Sequence, residues 1–160
     1  MGQDKALLTM DGVPLATRTA QTLGAAGCRP VSLVGRQPAL STLGFPVVSE
    51  GLVDFHHPLL GVATALGTAI TAQVLIAPCD LIGLDAVHIQ ALIAFGAPCV
   101  AEINGRTHPL LCVLSRDMGA RALQCAHASL SAREFVDGLP VIHLPNPPIT
   151  DANSPLDLAR

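Results

Sequence analysis

Short apolar runs alternate along this chain with longer segments of helical spacing. Leu15, Thr19, Leu23 and Ala26 recur on one stripe. That spacing predicts a helix over 15–26, with Pro14 in its first turn and Gly27 at its end. Apolar strands are predicted at 31–34 and 45–49, and residues 50–58 read as a polar loop ending in His56-His57-Pro58. A helix over 59–69 and a strand over 74–77 follow, the strand stopped by Pro78. Residues 85–95 read as a helix closed by Gly96. Strands at 100–103 and 110–114 flank Asn104-Gly105, a strong turn signal, with His108-Pro109 expected to interrupt the second strand. A modest helix over 118–126 comes next. Ser131 and Glu134 then have capping-box spacing for another short helix. The last predicted strand is 141–144. Buried strands alternating with helices favour an α/β fold with a mainly parallel sheet.

The length of 160 residues supports one domain, 1–160, with no interdomain linker and no internal repeat. Apolar residues make up 50% and charged residues 13%, which excludes general disorder. The net charge is −3, and Trp and Tyr are absent, so neither a non-specific nucleic-acid binder nor a stacking platform for single strands is expected. No apolar run approaches the roughly 18–20 residues of a membrane helix, and MGQDKALL lacks the pattern of a secretory signal. A cytoplasmic location and no membrane partner are expected. The five cysteines, at 28, 79, 99, 112 and 125, have no metal-knuckle spacing and are expected to be free and mostly buried.

Asp80 is the most informative carboxylate. It follows the apolar run VLIAP, at the strand edge where open α/β sheets bind ligands. A carboxylate fixed there can hold Mg²⁺ while phosphates supply further oxygens, or it can cap a turn. Lys5, the only lysine, can reach phosphate as a point charge or stand solvated near the terminus. Cys79 has no identifiable base and reads as structural. The six histidines fit no recognised metal spacing. Asp151, Asn153 and Asp157 cluster before a short C-terminal segment, where they could bind metal or cap a helix. No GxxxxGK[ST] or GxGxxG is present.

Five segments taken together resemble the molybdenum cofactor guanylyltransferases of the MobA-like nucleotidyltransferase family. These are MGQDKALLTMDGVPL, HPLLGVATAL, VLIAPCDL, THPLLCVL and DANSPLDL, in family order. The resemblance implies a three-layer, Rossmann-like nucleotide-diphosphosugar-transferase fold with a mainly parallel mixed sheet. It implies transfer of GMP from GTP to molybdenum-molybdopterin with release of pyrophosphate, and Mg²⁺ as cofactor. By carry-over, Lys5 would contact the GTP phosphates, Asp80 would hold Mg²⁺, and Gly61 would let the helix start approach the nucleotide. Asn153 would lie in the C-terminal pterin-side or active-site motif, with Asp151 where the family more often has another Asn. Pro58, Leu59 and His108-Pro109 would shape the site. Molybdopterin-synthesis proteins or a recipient molybdoenzyme would be partners.

The family usually carries an apolar strand and LAGG-x-S-x-R immediately before MG, and the sequence does not contain that stretch. The reading frame therefore either extends upstream of Met1 or encodes a divergent or inactive form. Two other functions stay open: a cytidylyltransferase for the same pterin, and an inactive homologue that binds the pterin or a partner.

Overall fold

The computed structural model describes residues 5–50, 55–144 and 149–151, the last two by backbone only. The first strands, β1 (Thr9–Met10) and β2 (Val13–Pro14), form a small antiparallel hairpin. Its turn needs two left-handed residues, which Asp11 (φ 52°) and Gly12 (φ 75°) supply. Pro14 then leads directly into α1 (Leu15–Ala25). Strands β3 (Leu33–Val34) and β4 (Val47–Val48) pair in parallel. Helix α2 (Pro58–Thr68) starts with proline at its first position, where a missing N–H costs nothing. The His57 ring caps it, Nδ1 accepting from the Leu59 N–H at 3.2 Å.

Strand β5 (Gln73–Ile76) follows, then β6 (Leu81–Ile82) and α3 (Ala86–Phe95). Asp85 and His88 form a reciprocal capping box at the start of α3, and Gly96 ends it at φ 89°. Strands β7 (Cys99–Ile103) and β8 (Arg106–Ser115) are joined by Asn104-Gly105, at φ 52° and 74°. Helices α4 (Gly119–His127) and α5 (Ala132–Val136) precede β9 (Val141–His143), and β10 (Thr150–Asp151) pairs antiparallel with β6. The expected Ser131–Glu134 box caps α5.

The largest sheet has the order β5-β8-β7-β9. β8 is antiparallel to both β5 and β7, while β9 is parallel to β7. Three strands therefore run one way and β8 alone is reversed, as a two-residue hairpin requires. His108-Pro109 does not interrupt β8. Ala101 faces His108 while Val100 faces Cys112, so residues 109–111 form a bulge that carries the proline without breaking the pairing on either side.

Side chains alternate cleanly across this sheet. Val74, Ile76, Val100, Cys112 and Leu114 join one core with α2, α4 and α5. Leu75, Ala77, Cys99, Ala101, Leu111 and Val113 join a second core with α3 and the Leu23 end of α1. The result is a three-layer α/β domain with a mixed sheet between two helical layers. One expectation shifts: the buried face of α1 is Leu15, Ala16 and Ala20 rather than the Leu15–Thr19–Leu23–Ala26 stripe. No helix among the described residues is long and apolar enough to cross a membrane.

Candidate functional site

The site is built on the carboxyl end of β5. After Ile76 the chain leaves the sheet through Ala77-Pro78-Cys79, and Asp80 sits in the turn before β6. The Thr19 hydroxyl donates to the Cys79 carbonyl at 3.5 Å, tying this turn to α1. Lys5 opens a short 3₁₀ turn, Lys5–Leu7, and its Nζ donates to Asp80 Oδ2 at 3.0 Å. Two residues 75 positions apart, nominated separately from the sequence, thus form one ion pair. Both are partly open to solvent, with 44% of the Lys5 and 25% of the Asp80 side chain exposed.

A cavity of about 650 Å³ is lined by Ala6 and Cys79, the chain neighbours of Lys5 and Asp80, but not by the pair itself. Gly61, in the first turn of α2, lines the same cavity. A Cβ on Gly61 would stand 3.0 Å from Glu50 Oε1, a tight contact that the carboxylate would have to relieve by shifting a few tenths of an ångström. Glu50 in turn lies 3.2 Å, Oε2 to Nε, from Arg36, whose Nη2 donates to the Phe55 carbonyl at 3.3 Å. The small residue here thus leaves room for a carboxylate that is also paired with an arginine. A second hollow, of about 430 Å³, lies on the other side of Cys79 and is lined by Arg18, Thr19 and Asp85.

Arg18, Arg36 and Glu50 were not singled out from the sequence. Their signal was available for two of them. Arg36 and Glu50 each come within two residues of an apolar strand's end, as Asp80 comes soon after β5. Asn153 lies outside the described residues. For Asp151 only the backbone is described, in β10 beside Leu81.

The donors can be compared with what Mg²⁺ needs. Among the described residues no group of three or more His, Cys, Asp or Glu could hold a metal ion. A closed protein cage is thus absent there. Mg²⁺ commonly keeps its waters and takes one or two carboxylates, the rest of its shell coming from substrate phosphates. A single partly exposed carboxylate at an open strand edge fits that requirement. Three histidines are used structurally, His57 and His88 as helix caps and His143 paired with Glu102 at 2.6 Å.

The five cysteines are free, two of them fully buried and three half-buried. Burial pushes the Cys112 thiol up to about 12, with Cys99 nearby adding to the shift. Burial also raises Cys28 and Cys99. A raised thiol is a poor nucleophile, so these three cysteines are structural.

Comparison with known proteins agrees with this fold. The profile of the MobA-like NTP transferase domain matches residues 1–142. The chain is 32% identical over 142 residues to the molybdenum cofactor guanylyltransferase of Bordetella pertussis, covering 82% of this chain and 72% of that one. It is 30% identical to the protein of that name from Cupriavidus metallidurans, over 71% of this chain and 61% of the relative. The match to the Cupriavidus protein thus spans less than two thirds of it. The crystal structure of molybdopterin-guanine dinucleotide biosynthesis protein A from Archaeoglobus fulgidus superposes with a TM-score of 0.67 at 13% identity, covering 90% of this chain and 76% of that one. At that identity the likeness speaks for the fold. With an α/β mixed sheet between two helical layers and a family profile spanning 142 residues, the chain belongs to the MobA-like NTP transferase domain family.

Proposed function

We propose that the protein transfers GMP from GTP to molybdenum-molybdopterin and releases pyrophosphate. The observation that carries this reading is the Lys5–Asp80 contact at 3.0 Å, at a strand's carboxyl edge and beside a cavity lined by Gly61. A cation for phosphate and a carboxylate for a metal stand together where an α/β sheet binds ligands. The relatives named above are molybdenum cofactor guanylyltransferases, which supports the choice of nucleotide and acceptor.

A phosphate oxygen of the pterin would attack the α-phosphorus of GTP. The bond from that phosphorus to the bridging oxygen of the β-phosphate breaks, and its electron pair leaves with pyrophosphate. The attacking oxygen already carries charge near neutral pH, so no protein base has to take a proton from it. Asp80 would hold Mg²⁺, which supplies Lewis-acid stabilisation of phosphate oxygens. Lys5 would turn from Asp80 toward the phosphates and offset the charge that grows as pyrophosphate leaves. Gly61 would keep the start of α2 open to the nucleotide. Asn153 would act on the pterin side. Molybdopterin-synthesis proteins or a recipient molybdoenzyme would deliver the acceptor or take the product, in the cytoplasm.

The test is incubation of the chain with Mg²⁺, molybdenum-loaded molybdopterin and either GTP or CTP. Pyrophosphate release, with GMP joined to the pterin, supports the proposal. Preference for CTP would make it a cytidylyltransferase instead. Pterin binding without pyrophosphate from either nucleotide would make it a binding homologue.

A further inference from the structure

The second hollow adjoins the first cavity. Thr19 and Cys79 line both, so the two meet at the turn that carries Asp80. Transfer between two molecules needs two places that converge on one set of reacting atoms. At about 430 Å³ the second hollow has the size of a small-molecule site. Apolar side chains such as Val13 and Leu84 line it together with polar Arg18, Gln21, Thr22 and Asp85.

Two of these polar side chains have hydrogen-bonding capacity left over. Arg18 Nη1 meets the Met10 carbonyl and Asp11 Oδ2 at 3.4 Å each, longer than a usual N–H···O bond. The Arg18 and Asp11 side chains are 39% and 72% exposed, so their ion pair is a weak surface one. A guanidinium carries several donors in a planar fork, and most of them remain for an anion. Asp85 caps α3 through one oxygen. Oδ1 accepts from the Val87 and His88 N–H groups at 2.9 and 3.1 Å and lies 2.7 Å from His88 Nδ1. Oδ2 is left to accept from a ligand.

We propose that the second hollow takes the pterin acceptor, with Arg18 on its phosphate and Asp85 Oδ2 accepting from the N–H groups of its aminopyrimidinone ring. The choice of ligand rests on the transferase reading above. A phosphate matches a guanidinium fork, and the 2-amino group of a pterin matches a carboxylate oxygen. Val13 and Leu84 give the flat ring apolar surface. One cation and one carboxylate suit a ligand that is anionic at one end and N–H-donating at the other. A nucleoside triphosphate would set its charge against Asp85, so this hollow discriminates between the two substrates. Orientation follows from the chain. Arg18 neighbours Thr19 and Asp80 neighbours Cys79, the two residues shared with the first cavity. The phosphate end therefore belongs where the sites meet, and the ring end toward Asp85, beyond β6.

Calorimetric titration of the full chain with 6-hydroxymethylpterin monophosphate, without nucleotide, tests the site. The companion probes are the unphosphorylated pterin, the lumazine analogue with oxygen in place of the 2-amino group, inorganic phosphate, and GTP. The phosphorylated pterin should bind about 10-fold tighter than its lumazine analogue. Arg18→Gln should weaken it about 10-fold and leave the unphosphorylated pterin within about 2-fold. Asp85→Asn keeps an oxygen to cap α3 but puts a donor where Oδ2 stood, and it should erase the preference over lumazine. GTP affinity should stay within about 2-fold in both variants. No binding of the pterin phosphate, or equal binding in the parent and both variants, would overturn the proposal. Inorganic phosphate binding as tightly as the pterin phosphate would overturn it too, leaving an anion site only. A fall in GTP affinity with Arg18→Gln as large as that for the pterin would make Arg18 a nucleotide contact, against the proposal. These readouts are binding alone, so a chain that shows them yet releases no pyrophosphate would uphold the site and refute the transfer.

Discussion

Asp80→Asn should separate chemistry from stability. The replacement keeps the size of the side chain and removes its charge. Two unit charges 3.0 Å apart attract by about 1.4 kcal/mol at the dielectric of water, and several-fold more in a drier setting. Here 44% of the Lys5 side chain and 25% of Asp80 are exposed, so solvent screens most of that attraction. Measured pairs of this kind contribute about 0–1 kcal/mol. The variant should therefore lose less than about 1 kcal/mol, a drop of a few degrees at most in the melting midpoint. Turnover should fall much further. A carboxylate that holds the metal acts on charge that develops as pyrophosphate leaves, so its loss should cost about 10²-fold, or roughly 2.7 kcal/mol of barrier. Thermal melting and pyrophosphate release, measured on the same preparations, decide the matter. Equal turnover in the two proteins would show that Asp80 is not a required metal ligand. A loss of more than about 3 kcal/mol in stability would show that the carboxylate is structural.

Gly61→Ala gains helix propensity but drives a methyl to 3.0 Å from Glu50, which Arg36 holds on its other oxygen. Stability should change by less than about 1 kcal/mol while GTP affinity, read by calorimetric titration, falls. Cys112 makes stability depend on alkaline pH: its folded value of about 12 lies above the ordinary 9.0, so its contribution is intact below pH 9 and declines as pH rises toward 12. Denaturant melts across that range check the decline, and Cys112 should resist alkylation until the chain unfolds. The Ser131 hydrogen bonds hold the Glu134 carboxyl below its ordinary 4.5, so this box stabilises above pH 4.5 and is lost as pH falls through the lower folded value. Ser131→Ala should lower the melting midpoint by a few degrees at neutral pH and by less in acid.

Features decided by neighbouring residues were legible in the sequence. Asn104-Gly105 makes the expected turn because both of its positions need positive φ. Ser131 and Glu134 cap α5 at the expected spacing. Distant packing was harder to read. Pro109 looked like a break, yet the bulge over residues 109–111 absorbs it, and only pairing with both neighbours makes that bulge worthwhile. The stripe on α1 missed Ala16 and Ala20 because periodicity weighs large apolar residues, whereas close approach to the cavity favours small ones. Asp80 was found because a carboxylate after a buried strand stands out. Its contact with Lys5 was not visible, since nothing local links positions 75 apart.

Arg36, Glu50 and Asp80 share a cause. A strand leaving an apolar core must meet water at its end, so polar residues there are common and mark no site by themselves. Their partners distinguish them. Each carboxylate is met by a cation from elsewhere, Glu50 by Arg36 and Asp80 by Lys5, which leaves this edge close to neutral before a ligand arrives. A polyphosphate has to take a cation away from a carboxylate, and the two pairs differ in how easily they part. Arg36–Glu50 is 26% and 20% exposed, and Arg36 also holds the Phe55 carbonyl. Opening it would strand charges in a drier setting. Lys5–Asp80 is more open, on a flexible four-carbon stem, and parts at little cost. The physical division is then between a more enclosed pair beside Gly61 and a more open pair that, in the proposed reaction, would exchange partners. In the proposed reaction Lys5 would pass to phosphate and Asp80 would be free to hold a metal ion, the division of roles that this difference between the two pairs supports.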